Sequence, residues 1–187
     1  MIKIRQNVFE TNSSSTHSIA IPKECDTSRL SHIVFGFGKF GWEKDEVDPI
    51  NYLYTGIMDA YEEQADEYIE RLKEILDKYN ITYRFIEPKY TAKKYGKYFD
   101  SGYVDHAREL RPLIEDLLND EDKLLRYLAG ARVFTGNDNG DMNGYINRDE
   151  PFYIEDNYDK TTKTWTETKV PNPYYMGEGY DWYFKDN

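Results

Sequence analysis

Cysteine is nearly missing: Cys25 is the only one in 187 residues. That excludes an internal disulfide and a thiolate metal cluster. Basic residues are scarce, with 24 Lys and Arg against 35 Asp and Glu, for a formal net charge of −11. Such a charge repels nucleic-acid phosphates, so direct nucleic-acid binding is not expected. No apolar run approaches the length that spans a bilayer, and no apolar leader opens the chain. The sequence therefore reads as a cytoplasmic protein without membrane contact. It also lacks internal repeats and a Pro/Gly-rich linker, so residues 1–187 read as one domain.

Aromatic residues are abundant, with 18 Tyr, 9 Phe and 3 Trp. A disordered acidic chain would be poor in them. Acidity with this aromatic content implies a folded protein with a tyrosine-studded surface. An acidic surface keeps a protein soluble; it also attracts basic surfaces, including those that normally hold nucleic acid.

The hydrophobic pattern predicts an α+β fold, a small mixed or antiparallel sheet with two helical regions packed on it. Residues 2–9 and 19–21 read as strands flanking a polar loop at 11–18. From Pro49 to Tyr79 an apolar stripe with helical spacing predicts one long helix, with Asn80 at its end. Residues 81–86 alternate as a strand. A second helical region runs from about Val104 to Ala131, with Pro112 starting or bending a helix and Asp120 capping a short one from Glu121. Arg132–Phe134 reads as a strand. Residues 152–154 and 164–168 read as a hairpin turning around Asn157–Asp159. The sheet is expected to combine the N-terminal strands, 81–86 and this hairpin.

The most distinctive stretch is Thr11–Ser18, eight polar side chains without glycine or proline. Hydroxyls and neighbouring amides suit a phosphate or carboxylate, and His17 adds a proton or a positive charge. Ser13, Ser14, Ser15, Thr16 and His17 are therefore the candidate ligand site. The stretch has neither the Gly and Lys of a phosphate loop nor a nucleophile elbow, and no helix follows directly. Read blandly, it is a polar turn bonded to its own backbone.

Other candidates are weaker. Gly36–Gly41 fits G-x-G-x-x-G, but no helix opens at Gly41, so it reads as a turn with aromatic anchors. Asn139, Asp141, Asn143 and Glu150 stand at positions 1, 3, 5 and 12 of a calcium loop, with Gly144 at position 6. Asn139 lacks the charge position 1 needs, and a strand follows where a helix should; turn chemistry is the plainer reading. Apart from Ca²⁺ at this loop, no cofactor is indicated. Lys89–Tyr98 interleaves Lys and Tyr as base-stacking segments do, yet it more simply offsets nearby acid. Cys25 and His17 would make a thiol–imidazole pair with no visible third member. His32 and His106 are isolated.

The predicted long helix carries a carboxylate face. Glu62, Glu63, Asp66, Glu67, Glu70 and Glu74 are the candidate partner-binding residues, with Asp59 and Asp77 at its ends. Such a face is usually just solvated. Carboxylates along a rod also imitate spaced phosphates, and tyrosines add anchoring area.

Gln6-Asn7-Val8-Phe9-Glu10-Thr11-Asn12-Ser13-Ser14-Ser15-Thr16-His17-Ser18 resembles the opening block of uncharacterised proteins from bacteriophages and prophages of Gram-positive bacteria. The resemblance covers about the first twenty residues and carries no activity or catalytic residue. It implies a phage accessory product made in a bacterial host. By analogy of class, small acidic phage proteins act as inhibitors of host defence or transcription. The leading expectation is thus a binding protein, not an enzyme: an anti-defence protein, similar in kind to anti-CRISPR inhibitors, that occupies a basic site on a host protein. The alternative is an enzyme or binder of a phosphorylated or nucleotide molecule at residues 11–18. Oligomeric state is open.

Overall fold

The structure is a computed structural model that describes residues 15–93, 96–137 and 144–185. The strand expected at 2–9 lies outside them. Along the chain, β1 (Ser15–Pro22) is followed by β2 (His32–Phe35), β3 (Lys39–Phe40), β4 (Asp45–Val47), α1 (Pro49–Tyr61) and α2 (Ala65–Lys78). The middle adds β5 (Thr82–Phe85), β6 (Tyr90–Lys93), β7 (Gly96–Phe99), β8 (Tyr103–Val104), α3 (Arg111–Asn119) and α4 (Glu121–Gly130). Then come β9 (Arg132–Asn137), β10 (Phe152–Asp159), β11 (Thr164–Pro171) and β12 (Tyr180–Lys185). The fold class is α+β, as the sequence pattern implies.

The main sheet is antiparallel, in the order β12-β1-β9-β4. Its composition differs from the expected one. Strand β5 pairs in parallel with β2 in a separate two-stranded sheet, and β10 pairs with β11 alone among the described residues. Local alternation identifies a strand but not its neighbour: β2 and β5 pair across about 50 residues of sequence, whereas β10 and β11 pair only with each other among those residues. The β10–β11 turn falls at 160–163, with Lys163 left-handed (φ 55°), because Asn157 to Asp159 are still paired with Thr166 to Thr164.

Each face of the main sheet is covered. On one side Ile19, Ile21 and Val133 join the large core built from α1, α2, α3 and α4. On the other, Ala20 and Phe134 pack with Tyr145 and Ile146, flanked by Tyr174, Met176, Tyr180 and Trp182. Strand β1 is therefore a central strand buried on both faces.

Helix α1 is apolar nearly all round. It starts at Pro49, whose fixed φ suits the first turn, and Asp48 Oδ1 accepts from Asn51 N at 2.7 Å. From Tyr52 to Met58 every residue is buried, so α1 is the central helix of the core. The long helix expected over 49–79 is in fact two. A 3₁₀ turn at Glu62–Gln64 separates the enclosed α1 from the amphipathic α2, which buries only Ala65, Ile69, Leu72, Ile75 and Leu76. Asn80 ends α2 in the left-handed region at φ 55°, where Asn is favoured among non-glycines. Asp120 caps α4 as expected, its Oδ1 accepting from Lys123 N at 3.0 Å.

Candidate functional site

The polar block does not form a loop over the residues described. Ser15, Thr16 and His17 lie on β1, which runs unbroken to Pro22; Ser13 and Ser14 lie outside the described residues. Ser15 and His17 are tolerated in a central strand because distant groups satisfy them. The His17 imidazole is sealed from solvent. Its Nε2 lies 2.8 Å from the Gly41 carbonyl and its Nδ1 2.8 Å from the Tyr52 hydroxyl. A carbonyl only accepts, so Nε2 carries the proton and Nδ1 receives that of Tyr52. Burial foremost, with the neighbouring Lys185 charge, lowers the His17 pKa to about 4. Burial likewise holds the Tyr52 phenol protonated. Both imidazole nitrogens are thus committed, which leaves no lone pair for a thiol at Cys25 or for a substrate.

Two residues earlier on the same face, Ser15 meets Lys185 at the end of β12. The Lys185 ammonium, 1% exposed, donates to the Ser15 carbonyl and hydroxyl, each at 2.8 Å. Nothing in the sequence marked Lys185, which looks like one more charge in an aromatic tail. Its burial follows from register: His17 pairs with Lys185 across β1 and β12. Ser18 is also fully buried, on the opposite face, and its hydroxyl has no hydrogen-bond partner among the described residues.

The carboxylate face is partly as expected. Glu63, Asp66, Glu67, Glu70 and Glu74 are all exposed; the Glu62 side chain lies outside the described residues. Glu70 pairs with Lys73 at 2.6 Å and Glu74 with Arg71 at 3.1 Å, exposed pairs one turn apart that contribute about 0.3–0.5 kcal/mol each. Glu63, Asp66 and Glu67 have no ion-pair partner among the described residues. Asp59 leaves the face, and Asp77 stays exposed on it. Asp59 turns inward and accepts from Val104 N at 2.9 Å, and Asp77 accepts from the Tyr83 hydroxyl at 3.3 Å.

For the calcium-type loop, Asn139, Asp141 and Asn143 lie outside the described residues. Gly144 is left-handed (φ 75°). Glu150 is exposed, and strand β10 follows rather than a helix. The surrounding turn is organised by Asn172, a residue the sequence reading passed over. Its Nδ2 donates to the carbonyls of Gly144, Asn147 and Glu150 at 2.9–3.0 Å, and its Oδ1 accepts from Tyr174 N at 2.9 Å. Among the described residues no three His, Cys, Asp or Glu side chains stand together as metal ligands.

The glycine-aromatic turn is tied to α1: Gly36 N donates to Asn51 Oδ1 at 2.8 Å and Gly38 N to Thr55 Oγ1 at 3.1 Å. Phe37 stacks on Tyr54, and Phe40 meets Tyr52 edge-on. Those amides are engaged by side chains and do not form a phosphate cradle. The described residues of the Lys/Tyr stretch form strands β6 and β7, which pair antiparallel. Cys25 is half-buried, with Sγ 3.9 Å from the Arg126 carbonyl, and burial raises its thiol pKa. His106 stands exposed in a left-handed conformation (φ 53°).

The β10–β11 hairpin is the surface that pattern reading undervalued. Nearly every residue in it is exposed. In antiparallel pairing, residues directly opposite share a face. One face thus carries Phe152, Ile154, Tyr158 and Trp165, exposed by 43, 57, 46 and 69%. The only sequence signal was alternation at 152–158, where every second residue but Asp156 is large and apolar.

No protein family, curated protein or solved structure matches the chain. Among the described residues, no helix is long and apolar enough to cross a membrane.

Proposed function

We propose that this is a binding protein that inhibits a nucleic-acid-binding or defence protein of a bacterial host by occupying its basic site. The observation that carries the reading is the exposed carboxylate run of α2. Among the described residues, Asp66 and Glu67 on α2 and Glu63 on the turn before it face solvent without cationic partners, in a chain of charge −11. Carboxylates at this density favour a basic surface and disfavour nucleic acid itself. The resemblance of the opening block to phage proteins supports the origin this role requires. The committed imidazole of His17 also favours binding over proton-transfer chemistry.

The test is capture of partners from host lysate at rising salt, followed by competition with duplex DNA. The expected result is a nucleic-acid-binding protein that is retained at low salt, released at high salt and displaced from DNA. Capturing no such protein even at low salt would sink the reading.

The rival reading, a phosphorylated or nucleotide ligand near Ser15 to His17, draws on one observation: the Lys185 ammonium beside the Ser15 hydroxyl. A thermal-shift screen with nucleotides discriminates it. A rise abolished by Ser14→Ala/His17→Ala would favour it, and no shift with any nucleotide would dismiss it.

A further inference from the structure

We propose that the aromatic–acidic face of the β10–β11 hairpin is a docking arm for an arginine presented by the protein partner. The inference rests on the binding-protein reading and gives it a recognition element distinct from α2.

Three observations converge on one spot. Asp156 and Glu167 lie directly opposite each other across the hairpin, and Tyr158 and Trp165 form the next pair on the same face. Asp156, Glu167 and Trp165 line a common open concavity of about 470 Å³. Neither carboxylate has a hydrogen-bond or ion-pair partner among the described residues. The nearest cation on that face, Lys169, lies over the Phe152 ring at 4.5 Å, towards the base of the hairpin.

Like charges set directly across a strand pair oppose each other. An isolated two-stranded hairpin has little stability to spare. A repulsive pair at its centre is a cost that an arriving cation relieves. The cation best matched is a guanidinium: its plane stacks on an indole and its fork reaches two carboxylate oxygens at once. An ammonium offers no such plane. Phosphates are repelled by the same carboxylates, and a second copy brings another −11 charge, so nucleic acid and self-association are disfavoured. The opposite face is polar along its outer length, with Glu155, Asn157, Asp159, Thr164, Thr166 and Thr168, and its apolar pair, Tyr153 and Val170, is half-buried at the base.

The full-length chain is titrated with a fluorescein-labelled hexa-arginine peptide, and with hexa-lysine, by anisotropy at low salt. Trp165→Ala and Asp156→Asn/Glu167→Gln are each expected to weaken hexa-arginine binding about tenfold, the loss typical of a central anchor. The double variant removes repulsion, so its loss cannot come from unfolding. Glu63→Gln/Glu67→Gln makes the same charge change at the start of α2 and the turn before it and is expected to cost less than about twofold. Hexa-lysine is expected to bind several-fold more weakly than hexa-arginine. The arm is refuted if both hairpin variants bind like the parent, or if the two peptides bind equally. Loss confined to the α2 variant refutes the arm and leaves the acidic-surface reading standing. No binding of hexa-arginine by the parent refutes both. A dimer in sedimentation velocity that Trp165→Ala abolishes would give the face to a second copy and overturn the proposal.

Discussion

The Tyr52 hydroxyl donates to His17 Nδ1 at 2.8 Å, with both side chains fully enclosed between β1 and α1. The bond ties the central strand of the sheet to the central helix of the core. It also fixes the imidazole as neutral.

Acid should therefore loosen this protein through His17. Unfolded, the imidazole titrates near 6.5; folded, at about 4. Between those values the unfolded chain binds the proton and the folded chain does not. Stability is then flat above pH 6.5 and falls as pH drops towards 4, by about 3 kcal/mol in all from this group. Urea unfolding measured from pH 7.5 to 4 should show the decline, and His17→Gln should flatten that part of the profile.

Tyr52→Phe keeps the ring and its contact with Phe40 but leaves Nδ1 an enclosed acceptor without a donor. A loss of about 1–3 kcal/mol is expected. The urea midpoint at pH 7.5 measures it. An unchanged midpoint would mean that another donor reaches Nδ1.

Asn172→Asp should be more damaging than its size suggests. Three carbonyls, of Gly144, Asn147 and Glu150, converge on the Nδ2 donor. Aspartate sets an acceptor against all of them, with a charge that is 7% exposed at that site. The expected cost is about 3 kcal/mol or more. Asn172→Ala should cost less, since it removes the donor without adding an opposed charge. Thermal unfolding of the two variants side by side checks the order.

The hairpin should open far more often than the sheet. Its strands pair only with each other among the described residues and are exposed along nearly their whole length, whereas β1 is enclosed on both faces. Hydrogen exchange followed by mass spectrometry should show amides of 152–171 exchanging well before those of β1 and β9. Equal protection would contradict the picture of a projecting arm.

The helices were the legible part of the fold. Their signals are local: Pro49 and Pro112 near helix starts, Asp120 as a cap, Asn80 at an end, and apolar residues three and four apart. The α1–α2 break escaped because the stripe from Tyr61 through Ala65 to Ile69 keeps helical spacing across it. The first half of strand β1 escaped for the opposite reason. Ser15, Thr16, His17 and Ser18 look like loop residues, and the groups that hold Ser15 and His17 in a strand, Gly41, Tyr52 and Lys185, stand 24 to 170 residues away. The same distance hid Lys185 and Asn172 as polar organisers. The carboxylates of α2 were legible because a helix face follows from spacing alone. The hairpin's shared face needed the register of Asp156 with Glu167 and of Tyr158 with Trp165, which depends on where the turn falls.

Strand β1 gains its two neighbours late. Strand β9 begins at Arg132 and β12 at Tyr180, so during synthesis β1 leaves the ribosome more than a hundred residues ahead of either. Until β9 arrives its backbone donors and acceptors have no ladder, and one side stays unpaired until β12 follows. Helices α1 to α4 can assemble first, but the sheet closes only after translation has passed residue 185. Closure over so long a separation is slow, so the nascent chain carries an open sheet edge for most of its production.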